Sequence, residues 1–327
     1  MWPATGAAIS TRRQDLDDAL VRLASLHPQK IDLSLGRLQR LLTALGNPQD
    51  HLPPTVHVAG TNGKGSTCAY LAEMARTKGE RVHIYTSPHL VNFNERILLD
   101  STPVDDKTLI EAFARCEAAN FGEPITFFEI TTAAALLLFS EHPADRLILE
   151  VGLGGRFDAT NVIARPALSV ITPVSLDHQE FLGSDLRQIA REKAGICKFG
   201  VPVVVGNQVD DAEAAILDEA AKVGAPAFVW GRDYNAYIQH GRLIYEDESR
   251  VWDLPAPGLL GPHQILNAGA AAAAAAVLQW PESAAAAGIA NATWPARLQS
   301  ITRGPLGEIA RKAGAELWLD GGHNEAA

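Results

Sequence analysis

The stretch Val56-His57-Val58-Ala59-Gly60-Thr61-Asn62-Gly63-Lys64-Gly65-Ser66-Thr67 decides the fold, because a short apolar strand runs into a glycine-rich turn that carries one lysine and several hydroxyls. Glycines let backbone N–H groups converge on phosphate oxygens. The helix that follows points its positive end at the anion, and the Lys64 ammonium reaches the terminal phosphates. Gly60 stands closer to Gly63 than in the Walker A pattern, and Gly65 separates Lys64 from Ser66. The competing reading is an ordinary strand–turn–helix connection with an exposed lysine. The apolar strand in front of the turn favours a nucleotide site, with Gly60 through Thr67 as its cradle.

Outward from this turn the chain alternates. Strands are expected at 56–59, 81–86, 146–151, 167–172, 201–205 and 227–230, with helices at 65–78, 105–120, 127–141, 185–198 and 211–223. That order predicts an α/β fold: a doubly wound, mainly parallel sheet with helices on both faces. Upstream, helices are expected at 11–26, opened by a Thr11/Gln14 capping box, and at 35–45, closed by Gly46 and Pro48. Downstream, a β-hairpin turns at His240-Gly241, and an alanine-dominated helix at 267–278 has the small side chains that allow close helix packing. A boundary near Trp294-Pro295 divides a unit at 1–295 from a stub at 296–327, with strands near 297–301 and 316–319. So short a stub cannot make a domain, and the second unit is expected to be cut short.

The 327 residues are 47% apolar and carry a net charge of −10 without a basic run. A nucleic-acid backbone would be repelled, so anionic ligands must be held locally. Cys68, Cys116 and Cys197 are widely spaced and form no metal-ligand pattern, which reads as reduced thiols of a cytoplasmic protein. The N-terminus lacks an apolar run after Arg12-Arg13, and 133–139 is too short to span a bilayer. No oligomerisation element is evident, so a monomer is expected.

In an open α/β sheet, ligands collect at the carboxyl ends of the strands. Polar residues there are Ser87, Glu150, Asp177-His178, and Lys64 with Ser66. Hydroxyl, carboxylate and imidazole near a triphosphate suit Mg2+, although histidine is unusual in a magnesium shell. Glu150 sits beside a second glycine-rich turn, whereas Ser87 before Pro88 could simply open a turn. A capping box with Thr126 is sufficient explanation for Glu129, and Lys193 on its helix reads as a solvated lysine.

These motifs, with Thr86-Ser87-Pro88-His89-Leu90, Glu150 through Asn161, and Asp177-His178 through Arg191-Glu192-Lys193-Ala194-Gly195-Ile196, resemble folylpolyglutamate synthase and dihydrofolate synthase of the Mur ligase superfamily. The extra glycine at 65 favours the folate branch over the cell-wall ligases. The resemblance implies an ATP-dependent amide ligase that activates a pterin carboxylate as an acyl phosphate and joins it to L-glutamate. It implies Ser87, Glu150, His178 and a carbamylated Lys193 as magnesium ligands, and Asn267 and Arg297 as ATP contacts. Asp320 and His323 match the start of the C-terminal nucleotide and acyl-phosphate site. For the pterin, Ile31, Asp32 and Leu33 resemble a dihydropteroate loop, with Thr126, Phe128, Asp158 and Ala159 around the same pocket. Dihydropteroate and reduced folates are the implied acceptors.

Ala296 and Gly322 replace a glycine and an alanine of the family pattern, Glu325 stands where proline is usual, and Ser34 replaces a glycine. Family members continue for about another hundred residues, a normal domain's worth. The rival readings are a cell-wall Mur ligase, against which the missing sugar-nucleotide domain argues, an inactive nucleotide-binding remnant, and an NTP-driven switch protein.

Overall fold

The computed structural model describes residues 6–27, 33–322 and 324. Helices α1 (Gly6–Ala24) and α2 (Gly36–Ala44) precede β1 (Thr55–Ala59), α3 (Lys64–Thr77) and β2 (Val82–Tyr85). Two short strands, β3 (Ile97–Leu99) and β4 (Thr102–Pro103), lead to α4 (Asp106–Asn120), α5 (Phe127–Glu141), β5 (Arg146–Glu150) and β6 (Leu168–Ile171). Then come α6 (Gln179–Leu182), α7 (Leu186–Ala194), β7 (Val203–Val205), α8 (Asp210–Val223) and β8 (Ala227–Val229). Strands β9 (Tyr234–Gln239), β10 (Arg242–Asp247) and β11 (Arg250–Leu254) are followed by α9 (His263–Val277) and α10 (Glu282–Asn291). The chain closes with β12 (Gln299–Ser300), α11 (Gly304–Lys312) and β13 (Trp318–Leu319).

The main sheet has the order β4-β3-β2-β5-β1-β6-β7-β8, parallel from β2 to β8, with β3 and β4 added antiparallel at one edge. Strand β1 is central and every one of its residues is buried, as a strand covered by helices on both faces requires. One face carries α1, α2, α4 and α5 through a core that includes Leu23, Leu41, Phe113 and Phe139. The opposite face carries α3, α9 and α10, and β9 to β11 pack over it through Tyr234, Tyr245 and Trp252.

The doubly wound sheet is as predicted, with four revisions. Helix α1 begins upstream, at Gly6, so residues 11–14 lie within the helix rather than at its start. Helix α7 ends at Ala194 because Gly195 caps it, and α6 is a separate turn opened by His178 in the left-handed region, φ 48°. The hairpin at 240–241 is part of a three-stranded antiparallel sheet. The edge strands β3 and β4 escaped prediction because a pair of short segments carries too little alternation to read.

The alanine run of α9 does allow close approach. Ala268 and Ala270 through Ala276 are buried, and Gly269 lies so near Trp230 and Ala236 that a Cβ would collide. After Pro295 the chain forms a separate two-stranded pair, β12–β13. Ala296, where a glycine was expected, has φ 55°, a conformation that costs a residue with a Cβ about 1 kcal/mol or more.

Candidate functional site

The glycine-rich loop leaves β1 and enters α3 through Gly63, whose φ of 82° suits glycine. The first helical bond runs from the Thr67 N–H to the Gly63 carbonyl at 2.9 Å, which leaves the N–H groups of Lys64, Gly65 and Ser66 without intrahelical acceptors. These three donors at a positive helix end are what an anion needs. The Thr61 and Asn62 N–H groups behave otherwise. Both donate to the Pro173 carbonyl, at 3.0 and 3.2 Å, so the first half of the loop is braced against the end of β6 and its amides do not converge on phosphate. The Thr172 hydroxyl adds a 2.7 Å bond to the Asn62 carbonyl.

The Lys64 ammonium folds back onto its own loop, donating to the carbonyls of Gly60 and Thr61 at 3.0 Å each. Beneath the loop, Gln264 of α9 donates to the Ser66 hydroxyl at 3.2 Å and accepts from the Asn267 amide at 3.1 Å. The Asn267 side chain packs against Gly63, where a Cβ would overlap it. Gln264 thus ties two predicted nucleotide contacts together, and a single buried glutamine offers no sequence signal for that role. The buried Thr67 hydroxyl has no partner among the described residues.

Three of the four predicted metal ligands converge on this loop. The Ser87 N–H donates to Glu150 Oε2 at 3.2 Å, joining the ends of β2 and β5. Burial raises the Glu150 carboxyl to about 7, and the nearby Lys64 charge offsets part of that rise. Lys193 is only 4% exposed, so the solvated reading from its helix is wrong. Its ammonium donates to the Gly60 carbonyl at 3.0 Å. Desolvation and the neighbouring Lys64 charge lower it to about 7. His178 has a half-exposed side chain 4.0 Å from Asp177 and lines a cavity together with Ser87. Among the described residues no three His, Cys, Asp or Glu side chains group as a metal site. A site of one carboxylate, a hydroxyl and phosphate oxygens is the sparse kind that Mg2+ accepts.

The second glycine-rich turn positions Lys193. The Arg156 N–H donates to the Glu192 carbonyl at 2.8 Å, and the Asn161 amide donates to the Gly195 carbonyl at 3.0 Å. Gly155 meets the backbone of Glu192 and Lys193 so closely that a Cβ would not fit. The long motif from 150 to 161 is therefore a clamp that sets the register of α7.

Behind Ser87 lies a cavity of about 290 Å³ whose lining includes Leu33, Thr126, Phe128, Asp158 and Ala159 together with Ser87, Arg96 and His178. It assembles the described pterin candidates; Ile31, Asp32 and His323 lie outside the described residues. Asp158 is buried, and its carboxylate already accepts from the N–H of Leu153 at 2.8 Å and of Thr160 at 3.0 Å. Much of its accepting capacity therefore shapes the turn. Gly152 lets the Phe128 ring approach the backbone. Glu129 forms the expected capping box with Thr126, and it also takes Arg37 at 3.0 Å and lines the cavity.

A second cavity, of about 300 Å³, lies between Gly65, Glu150, Trp294 and Arg297. Arg297 and Glu150 thus face one space. Asp320 accepts from the N–H of Leu298 at 2.8 Å and of Gly322 at 2.7 Å, pinning the 296–298 turn beside that space. A wider hollow of about 530 Å³ beneath 92–95 and 103–107 holds none of the predicted site residues.

A phosphate cradle, a buried carboxylate bonded to the end of the adjacent strand and a separate cavity define a nucleotide-dependent α/β enzyme with room for a second substrate. The Mur ligase middle domain matches residues 58–275. The folylpolyglutamate synthase of Lacticaseibacillus casei is 39% identical over 309 residues, spanning 88% of this chain and 69% of that protein. The dihydrofolate synthase/folylpolyglutamate synthase of Bacillus subtilis is 36% identical over 315 residues, with 89% and 69% covered. Among solved structures, E. coli FolC in complex with DHPP and ADP superimposes with a TM-score of 0.85 at 35% identity, over 94% of this chain and 71% of that one. A bifunctional folylpolyglutamate synthase/dihydrofolate synthase with Mn, AMPPNP and L-glutamate bound gives 0.81 at 34% identity, over 94% and 71%. The chain belongs to the Mur ligase family, in its folylpolyglutamate synthase and dihydrofolate synthase branch.

Proposed function

We propose that this protein is an ATP-dependent amide ligase that adds L-glutamate to dihydropteroate and to reduced folates, acting as a monomer in the cytoplasm. The observation that carries the reading is the contact of Lys193 with the Gly60 carbonyl, which brings the end of α7 and the Glu150–Asn161 motif onto the phosphate loop. Its three cysteines are free and buried, as suits a reducing compartment. No described helix is long and apolar enough to cross a membrane. We further propose that residues 1–295 form the ATP-binding unit and that 296–327, with its separate β12–β13 sheet, begins the glutamate-ligase unit.

In this reading the N–H groups of Lys64, Gly65 and Ser66 hold the nucleotide phosphates, with Lys64 swinging from its loop carbonyls onto them. Thr61 and Asn62 serve as the braced wall of that cradle. Asn267 and Arg297 contact the nucleotide, and Asp320 orients the Arg297 turn. Ser87, Glu150, His178 and Lys193 would hold magnesium, Lys193 as its carbamate. That conversion requires the neutral amine, which the depressed Lys193 provides near neutral pH. The metal, when bound, neutralises charge on the phosphates.

The pterin lies against Phe128 between Leu33 and Ala159, with Thr126 and Asp158 at its polar edge. Its carboxylate oxygen attacks the γ-phosphorus and displaces ADP, giving an acyl phosphate. The amine of L-glutamate then attacks the acyl carbon, loses a proton and expels phosphate. A carboxylate alone is too poor an electrophile for the second step. Ile31, Asp32 and His323 complete the proposed set.

Incubation of the chain with magnesium, ATP, L-glutamate and either dihydropteroate or tetrahydrofolate tests this. A product heavier by one glutamyl residue, with matching ADP release, is expected. ATP binding without glutamate transfer to either pterin would reduce the chain to a nucleotide-binding unit.

A further inference from the structure

Arg96 stands at the wall of the pterin cavity, immediately before β3, and was not among the residues the sequence marked. Its Nε donates to His89 Nδ1 at 2.9 Å, and its guanidinium lies 5.1 Å from the Phe93 ring centroid. Both contacts fix the plane of the group without neutralising it. No carboxylate among the described residues pairs with it. Other charged groups of the cavity are otherwise engaged: Glu129 holds Arg37, and Asp158 is taken by backbone amides. Among the described lining residues Arg96 is the one permanent cation. Burial lowers its affinity for its proton, with Tyr85 and Glu150 the partial offsets. A half-buried, pre-oriented guanidinium without a counter-ion is costly unless a ligand supplies the anion.

We propose that Arg96 binds the α-carboxylate of the terminal glutamate of a folate acceptor, and so separates folate from dihydropteroate as substrates. This rests on the folate reading above. A folate presents two carboxylates, one that is activated and one, on the α-carbon, that is a spectator. Dihydropteroate has only the first. A guanidinium clamping the activated carboxylate would occupy the oxygens that must attack phosphorus and drain their electron density. The spectator carboxylate has no such demand, and bidentate pairing suits it. Arg96 therefore contributes binding that the folate alone can use.

The test is isothermal titration of the full chain with dihydropteroate, tetrahydrofolate and the α-carboxamide of tetrahydrofolate, using the wild type, Arg96→Gln and Arg96→Lys. Loss of a charge-assisted pair predicts tetrahydrofolate affinity roughly 10- to 100-fold weaker in Arg96→Gln, with dihydropteroate within about twofold of the wild type. The α-carboxamide should show the same loss on the unaltered protein, which makes the result independent of how well the variants fold. Arg96→Lys should recover part of the affinity. Equal weakening of both pterins by Arg96→Gln, or wild-type affinity for the α-carboxamide equal to that for the acid, overturns the assignment. If the wild type binds neither pterin, the folate reading itself fails and this one falls with it.

Discussion

Lys193 Nζ donates a 3.0 Å hydrogen bond to the carbonyl of Gly60, joining the end of α7 to the phosphate loop across 133 positions of sequence. The contact places the side chain in a buried position beside Lys64, and desolvation there, with the Lys64 charge, lowers the Lys193 amine to about 7. Lys193→Met is expected to cut glutamate transfer by about 100-fold or more while ATP still binds, because it removes a charge-stabilising group rather than the cradle. With 13C-bicarbonate, NMR should show a carbamate signal in the wild type that Lys193→Met lacks. A full-strength signal in the variant would exclude this lysine.

Gly63→Ala should damage the nucleotide site twice over. Its φ of 82° disfavours any side chain, and the new Cβ would overlap the Asn267 amide. The expected cost is about 1–3 kcal/mol of stability, read by denaturant unfolding, together with weakened ATP binding. Gly36→Ala meets no atom and is the control. Similar ATP affinity in both variants would show that Asn267 does not depend on that close approach.

Acid should unfold the protein in part through His57. This residue is fully buried in the central strand, and burial lowers it to about 3 from 6.5, with Lys198 adding to the effect. Thr160 gives its hydroxyl proton to Asp158 Oδ1 and accepts from His57 Nε2 at 2.9 Å, which places the neutral ring's proton on Nε2. The unfolded chain binds the proton more tightly, so the stability from neutral His57 is full above pH 6.5 and falls as pH drops towards 3. At pH 4 the loss is on the order of 3 kcal/mol. His57→Gln should flatten the melting temperature between pH 6.5 and 4; an unchanged slope would place the acid sensitivity elsewhere.

Glu150 has the opposite linkage. Its folded carboxyl is raised to about 7, so the contribution of the protonated group is present below pH 4.5 and is lost as pH rises through 7. In chelator, Glu150→Gln should remove that decline and gain on the order of 1–3 kcal/mol at pH 8. Added magnesium and ATP should then stabilise the wild type more than the variant, by thermal shift. Equal shifts would take Glu150 out of the metal site.

The doubly wound parallel sheet and the phosphate loop were legible from residues alone, because a fully buried strand followed by a glycine turn has few other solutions. Val56 through Thr67 carried that information locally, and the alanine run of α9 announced its own close packing. Strand-end position marked Ser87 and Glu150 as well, whereas Lys193 entered only through the family motif, because local pattern had left it on a solvated face. Only the tertiary structure buried that lysine, since its environment comes from β1, the loop at 60–64 and the turn at 152–161 rather than from its neighbours in α7. The same holds for Pro173 bracing the loop, Gln264 joining Ser66 to Asn267, and Arg96 lining a cavity with Thr126, Phe128 and Asp158. Secondary structure follows from periodicity within a dozen residues. Desolvation, charge pairing and cavity walls depend on groups brought together from distant positions, so they are set when the chain packs.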